Sequence, residues 1–191
     1  ARHPEDWPHA LRNRPLGMST YSGNATRLAR AGYYALATQV DHQIRTVIGL
    51  LREEGLLDDT IIMFTTDHGE MLGNHGLWGK GNLHEFSIKI PMILMPTIDR
   101  KDIGEGRLDD RLAVQADVMP TLLELCDIPV PELVEGLSLV GSDRRHHVYG
   151  EIWNNDNASR MVRDERYKLI YFPVGNRFQM FDVLANPAHT P

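Results

Sequence analysis

The sequence predicts an α/β fold, in which part of a mostly parallel sheet flanked by helices is followed by a small C-terminal antiparallel sheet subdomain. Three observations carry this expectation. A helical apolar stripe leads into a continuous apolar run of strand length; a second such run follows a polar, glycine-rich stretch; and from about His146 the chain breaks into short β-prone runs separated by turn residues. Helix followed by buried strand is the layering of an α/β domain, and short runs between turn signals are the pattern of a meander.

In chain order, Leu36, Val40, Ile44, Val47, Ile48 and Leu51 repeat at the helical period, so a long amphipathic helix is expected from near Thr26 to a stop at Gly55. The link LLDDT leads into TIIMFTT, whose unbroken β-branched and apolar residues suit a parallel strand covered on both faces. IKIPMILMP, bounded by Pro96, is the second strand candidate. The charged loop DRKDIGEGRLDD then leads to a helix in ADVMPTLLELC, where Asp117 is the expected N-cap and Pro120 lies in the first turn, where a missing N–H costs least. HHVYGEIW, RMVRDE, RYKLIYFP and RFQMFDV read as the antiparallel meander. A boundary near Ser142 divides the chain into residues 1–142, the α/β part, and 143–191, the small β subdomain.

Composition narrows the function. The chain has 191 residues, 42% apolar and 24% charged, enough for a core, and a formal charge of −6. An acidic chain is a poor match for a phosphate backbone, so no nucleic-acid partner is expected. The longest apolar stretches, Thr60 to Phe64 and Ile90 to Met95, fall far short of the roughly 20 residues that span a bilayer, so no membrane segment is expected, and none of the chain reads as a signal peptide. One cysteine excludes an internal disulfide without fixing a compartment, and localisation stays open between cytoplasmic and periplasmic or secreted.

Reactive side chains concentrate in TTDHGEMLGNHGLWGKGNLHE, residues 65–85, directly after the first strand run. Ligand sites of open α/β sheets lie at the carboxyl ends of strands, which places Asp67 and His68 where catalysis is usually built. A carboxylate and an imidazole both bind divalent metals, and Gly69 lets the backbone turn tightly behind them. They make only part of a site, because a hard cation such as Ca²⁺ takes about six to eight oxygen ligands. Lys80, flanked by Gly79 and Gly81, can bring a point charge to an anion, although an isolated loop lysine is ordinarily only solvated. His75 and His84 are candidate proton donors to the same pocket, against the commoner role of a hydrogen-bonded or surface histidine. Glu70 and Glu85 read as structural, orienting the turn and neighbouring donors. Tyr33, Tyr34, Trp78 and Trp153 read as core or pocket-wall aromatics, RDERYK as a solvated turn, DRRHH as a linker, and Cys126 as a small buried residue late in a helix.

TTDHGEMLGNHGLWGKGNLHEFSIKIPMILMP resembles the signature of the sulfatase family, in the alkaline phosphatase superfamily, where a strand ends in a Thr/Ser-Asp-His-Gly-Glu turn and continues through Gly-Asp/Asn-His-Gly-Leu and Gly-Lys. YYALATQVDHQIRTVIGLLREEGLLDDTIIMF looks like the helix and strand before that turn, QADVMPTLLELCDIPVPELVEGLSL like the family's Asp-x-x-Pro-Thr-Leu-Leu helix and its exit, and the final meander through MFDVLANP like its small C-terminal sheet. HPEDWPH, with His3 and His9, weakly resembles a segment after an upstream histidine strand. The resemblance implies an alkaline phosphatase-like fold and a sulfuric ester hydrolase. In it Asp67 and His68 ligate a divalent cation, Ca²⁺ first, with Mg²⁺ or Mn²⁺ as alternatives, and Lys80 contacts the sulfate and the bridging oxygen. The implied partner is a sulfate-ester small molecule or a sulfated glycan.

The family's nucleophile is a formylglycine made from a Cys/Ser-x-Pro-x-Arg motif, and this chain has no such motif; Cys126 is followed by Asp127, Ile128 and Pro129. The family's Asp-Asp metal ligands, expected just after a first strand, have no counterpart upstream of Thr60. The expectation is therefore the C-terminal portion of a sulfatase, inactive by itself. A parallel sheet interrupted in this way leaves an open strand edge, to be covered by a second copy or a partner segment. Two alternatives remain: a phosphonate monoester or phosphodiester hydrolase of the same superfamily, and a non-catalytic homologue acting as a binding or assembly module.

Overall fold

The computed structural model describes residues 8, 23–100, 103, 106–153 and 155–185. His3, His9, Asn186 and Pro187, with most of the opening segment, lie outside the described residues. The chain divides into two compact units, one formed by residues 19–66 and 91–107, the other by 67–90 and 108–191 together with the first 18 positions.

In the first unit, helix α1 (Gly23–Glu53) carries the expected stripe. Gly55 stops it in the left-handed conformation (φ 69°), with Leu56 N–H donating to Leu51 O and Gly55 N–H to Arg52 O, a Schellman closure. Ile44, Ile48 and Leu51 are half-buried, whereas Leu36, Val40 and Val47 are exposed. Tyr33 and Tyr34, expected inside, are exposed on this helix too. Strand β1 (Ile62–Thr65) is half-buried at all four positions. It pairs with β2 (Met92–Met95) in antiparallel register, Ile62 opposite Met95 and Thr65 opposite Met92. Parallel pairing does not occur among the described residues, because an unbroken apolar run reports cover on both faces and says nothing of strand direction. The second strand also begins later than its sequence run, since Ile88 closes a helical turn and β2 starts only at Met92.

In the second unit, that turn, α2 (Glu85–Ile88), follows the site segment, and α3 (Val118–Leu125) follows a 3-10 turn at Gln115–Asp117. Asp117 holds the expected N-cap position of α3 but makes no side-chain cap bond there: its backbone is helical (φ −78°, ψ −14°), and its carboxylate instead accepts the N–H of Val114, three residues back. Cys126 is exposed and lines an open apolar groove with Met119, Leu122 and Ile128. Strands β3 (Val148–Ile152), β4 (Ser159–Arg163), β5 (Tyr167–Phe172) and β6 (Arg177–Asp182) form the expected meander, paired antiparallel in sequence order. Its inner face supplies Met161, Ile170 and Phe172 to a core completed by Met71, Leu77 and Leu83 of the site segment. Each such side chain contributes about 1.5–3 kcal/mol when fully buried. The loop that carries the reactive residues is thus anchored on the small sheet. No helix among the described residues is long and apolar enough to cross a membrane.

Candidate active site

The turn after β1 builds a pair of an exposed Asp67 and a half-buried His68. Asp67 Oδ1 accepts the His68 N–H at 2.9 Å, and His68 Nδ1 lies 2.9 Å from Gly69 O. A carbonyl only accepts, so Nδ1 carries a proton and donates to Gly69 O, which turns Nε2 toward Asp67. Nε2 lies 3.2 Å from Asp67 Oδ2, and the aspartate side chain is 82% exposed. At metal–ligand distances of about 2.3–2.6 Å, neighbouring corners of an octahedron stand about 3.2–3.7 Å apart, so the two atoms fit adjacent positions around a divalent cation. They fill only two, since no group of three His, Cys, Asp or Glu side chains able to hold a metal occurs among the described residues. Gln115 Nε2–H donates to Asp67 O at 2.9 Å and so fixes the backbone that presents the pair.

Gly69 serves this turn by close approach, and its φ is not positive. Its N–H donates to Ser87 O at 2.8 Å, and a Cβ placed on it would stand 2.2 Å from Phe86 O. Gly69→Ala must push α2 away and should cost about 1–3 kcal/mol, read as a lower urea midpoint.

Lys80 is exposed, and both neighbours have left-handed backbone, Gly79 at φ 72° and Gly81 at φ 85°. Glu70 holds the near side of this segment, its Oε1 accepting Gly79 N–H at 2.6 Å and Leu72 N–H at 3.2 Å. Met71 N–H to Gly79 O and Gly73 N–H to Leu77 O close the loop from within. Glu70 therefore acts on the loop as the sequence suggests.

His75 and His84 are brought to each other, ring centroids 5.5 Å apart, with Phe86 beside His75 and Phe181 edge-on to His84. His84 is buried, and its Nδ1 donates to Asn82 Oδ1 at 3.1 Å. His75 Nε2 is buried without a hydrogen-bond partner, and burial lowers the ring's pKa, which favours the neutral form over the imidazolium a proton donor needs.

Two clusters that sequence reasoning missed support the loop. Glu85 takes Lys168 Nζ on Oε1 at 2.8 Å and Arg163 Nη1 on Oε2 at 2.7 Å. RDERYK is thus a solvated turn only at its middle, and Lys168 is fully buried. The period-2 alternation that puts Lys168 on one face with Ile170 and Phe172 was the available signal. Asp117, also fully buried, holds Arg145 with two bonds of 2.8 Å and accepts Leu137 N–H as well, so the DRRHH segment contains a clamp.

Solved structures share this architecture. BT4656, determined in complex with its substrate D-glucosamine-2-N,6-O-disulfate, superposes with a TM-score of 0.73 at 26% identity, over 80% of this chain and 33% of its own. The phosphonate monoester hydrolase SpPMH from Silicibacter pomeroyi gives 0.75 at 29% identity, over 91% and 40%. Fold and site together define a chain of the alkaline phosphatase superfamily. Family models narrow this further: Sulfatase matches residues 5–128, and N-sulphoglucosamine sulphohydrolase, C-terminal, matches 73–190. The chain belongs to the sulfatase family. The arylsulfatase of Clostridium perfringens is 32% identical over 169 residues, 85% of this chain and 35% of the relative. The chain therefore spans about a third of the length of the curated relatives it matches.

Proposed function

We propose that the protein carrying this chain hydrolyses sulfate esters, with Asp67 and His68 supplying two ligands of a divalent cation and Lys80 contacting the sulfate group. The observation that carries this reading is the Asp67–His68 pair, whose Oδ2 and Nε2 converge at 3.2 Å, with Glu70, two residues on, accepting Gly79 N–H of the glycine-flanked lysine loop. A bound cation would stabilise charge on the oxygens of the transferring group. Ca²⁺, with Mg²⁺ or Mn²⁺ as alternatives, is the cation the family resemblance implies, and any of them would need further oxygen donors besides this pair. Lys80 adds a positive charge for the sulfate and for the oxygen that leaves with the alcohol. His75 and His84 are the candidate proton donors to the same pocket, with burial, which lowers the His75 pKa, counting against His75 as an imidazolium.

The formylglycine nucleophile does not fit this chain. Cys126 closes a helix, exposed, without the Pro-x-Arg context, and no step is assigned to it. A sulfated sugar is the favoured substrate, supported by the disulfated glucosamine bound by BT4656. Likeness to a phosphonate monoester hydrolase supports the alternative within the superfamily.

Lys80→Ala in the native-length protein should lower kcat on an aryl sulfate by on the order of 10²- to 10³-fold, and an unchanged kcat removes Lys80 from the site. Turnover of an aryl phosphonate above that of the matching aryl sulfate would reverse the choice of substrate class.

A further inference from the structure

Trp153 is the first residue beyond β3, which pairs with β4 as far as Ile152 opposite Ser159. Strand alternation would send its side chain outward with Tyr149 and Glu151. Its backbone instead turns left-handed, φ 59°, a conformation a bulky side chain rarely adopts. The turn carries the indole to the lysine loop, where Nε1–H makes a long hydrogen bond of 3.4 Å to Gly81 O, one residue past Lys80. Arg160 Nη1–H holds the same backbone by donating to Trp153 O at 3.3 Å. Although tied at both points, the residue is 55% exposed.

A large aromatic residue held in strained backbone and left open to solvent is poorly explained by packing, whereas strain of this kind clusters at ligand sites. From this we infer that Trp153 is a specificity-determining residue. Its indole face forms a wall for the ring of the alcohol portion of a sulfate ester whose anionic group lies at Lys80. The inference rests on the sulfate-ester reading and extends it by naming what the site takes beyond the sulfate. The ligand chemistry is a flat ring face, which a pyranose offers through its C–H bonds and an aryl group through its π-system.

The test compares glucosamine 6-O-sulfate, 4-nitrophenyl sulfate and ring-less methyl sulfate as substrates of the native-length protein. Trp153→Ala should raise KM for ring-bearing esters about tenfold with kcat little changed, leave KM for methyl sulfate unmoved, and be largely rescued by Trp153→Phe. A rise confined to the glucosamine ester assigns the wall to sugars, one confined to the nitrophenyl ester to aryl groups, and a rise for both to ring faces in general. Equal changes for all three esters, or none, would overturn the inference while leaving sulfate hydrolysis standing. If the unsubstituted protein hydrolyses none of the three, the sulfate-ester reading falls and the wall falls with it.

Discussion

Glu85→Ala is expected to lower the stability of the protein by about 3–5 kcal/mol, the cost of leaving buried charge unpaired. Arg163 and Lys168 are direct cross-strand partners on β4 and β5, a like-charged pair that disfavours the sheet unless an anion stands between them. Glu85 is that anion, with one oxygen on each cation. Without it, Lys168 keeps no exposure through which water could replace the lost partner. Replacing both ends by apolar residues, Glu85→Leu with Lys168→Met, should recover most of the loss, since it removes the desolvated charge along with its partner. Urea denaturation of the two variants decides the matter, and a double variant no better than the single one would show that Glu85 acts through something other than Lys168. Burial outweighs the attraction of Glu85 and pushes Lys168 down from 10.5 to about 8. The folded state therefore binds fewer protons than the unfolded state between those values, and this group's contribution to stability rises as pH climbs from 8 to 10.5. The native protein should gain stability relative to Lys168→Met across that window, and parallel curves would contradict the sign.

The sheet of β3–β6 was legible because each of its runs is β-prone and bounded by Asn, Asp, Gly or Pro, a local signal that needs no partner to be recognised. The turn at Asp67–Gly69 and the glycine-flanked Lys80 were legible as turns from their glycines alone, since left-handed backbone at Gly79 and Gly81 needs no distant partner to be recognised. What could not be read was pairing at a distance. Nothing local says that Glu85 will meet a lysine 83 residues away, and a charged run such as RDERYK reads as solvated because buried lysines are rare. Asp117 looked like a helix cap because it precedes a helix, yet its carboxylate is spent on partners as far away as Leu137 and Arg145. Direction also escaped: TIIMFTT records two covered faces, and only the register Ile62 to Met95 shows an antiparallel neighbour. Trp153 reads from sequence only as a core or pocket-wall aromatic, and the left-handed backbone that re-aims it has no sequence signature in a residue other than glycine.

Asp117→Ala should be as damaging as the loss of Glu85, about 3–5 kcal/mol, and should also reach the cation site proposed at Asp67 and His68. The carboxylate accepts both Arg145 nitrogens, the Val114 N–H and the Leu137 N–H, so truncation strands one cation and two backbone donors together. Burial by itself would raise the Asp117 pKa, but these hydrogen bonds prevail and hold it below the usual carboxylate value. Its contribution to stability is therefore present above the ordinary value of 3.8 and is lost as pH falls through the lower folded value, so acid unfolding of the native protein should be steeper than that of Asp117→Asn. Arg145→Lys tests the geometry separately, because an ammonium cannot make the two parallel bonds and should recover only part of the clamp. The reach to that proposed site follows from chain position. Gln115, in the 3-10 turn that Asp117 closes, is the residue whose amide fixes Asp67 O. If the clamp frees that turn, Asp117→Ala should weaken divalent-cation binding at Asp67 and His68 by calorimetry at a temperature where the variant is still folded, and so should Gln115→Ala, which leaves the Asp117–Arg145 pair itself in place. Weakened binding in both variants makes the turn the link between clamp and site, whereas loss in Asp117→Ala alone would mean that the clamp acts on overall stability and not through Gln115.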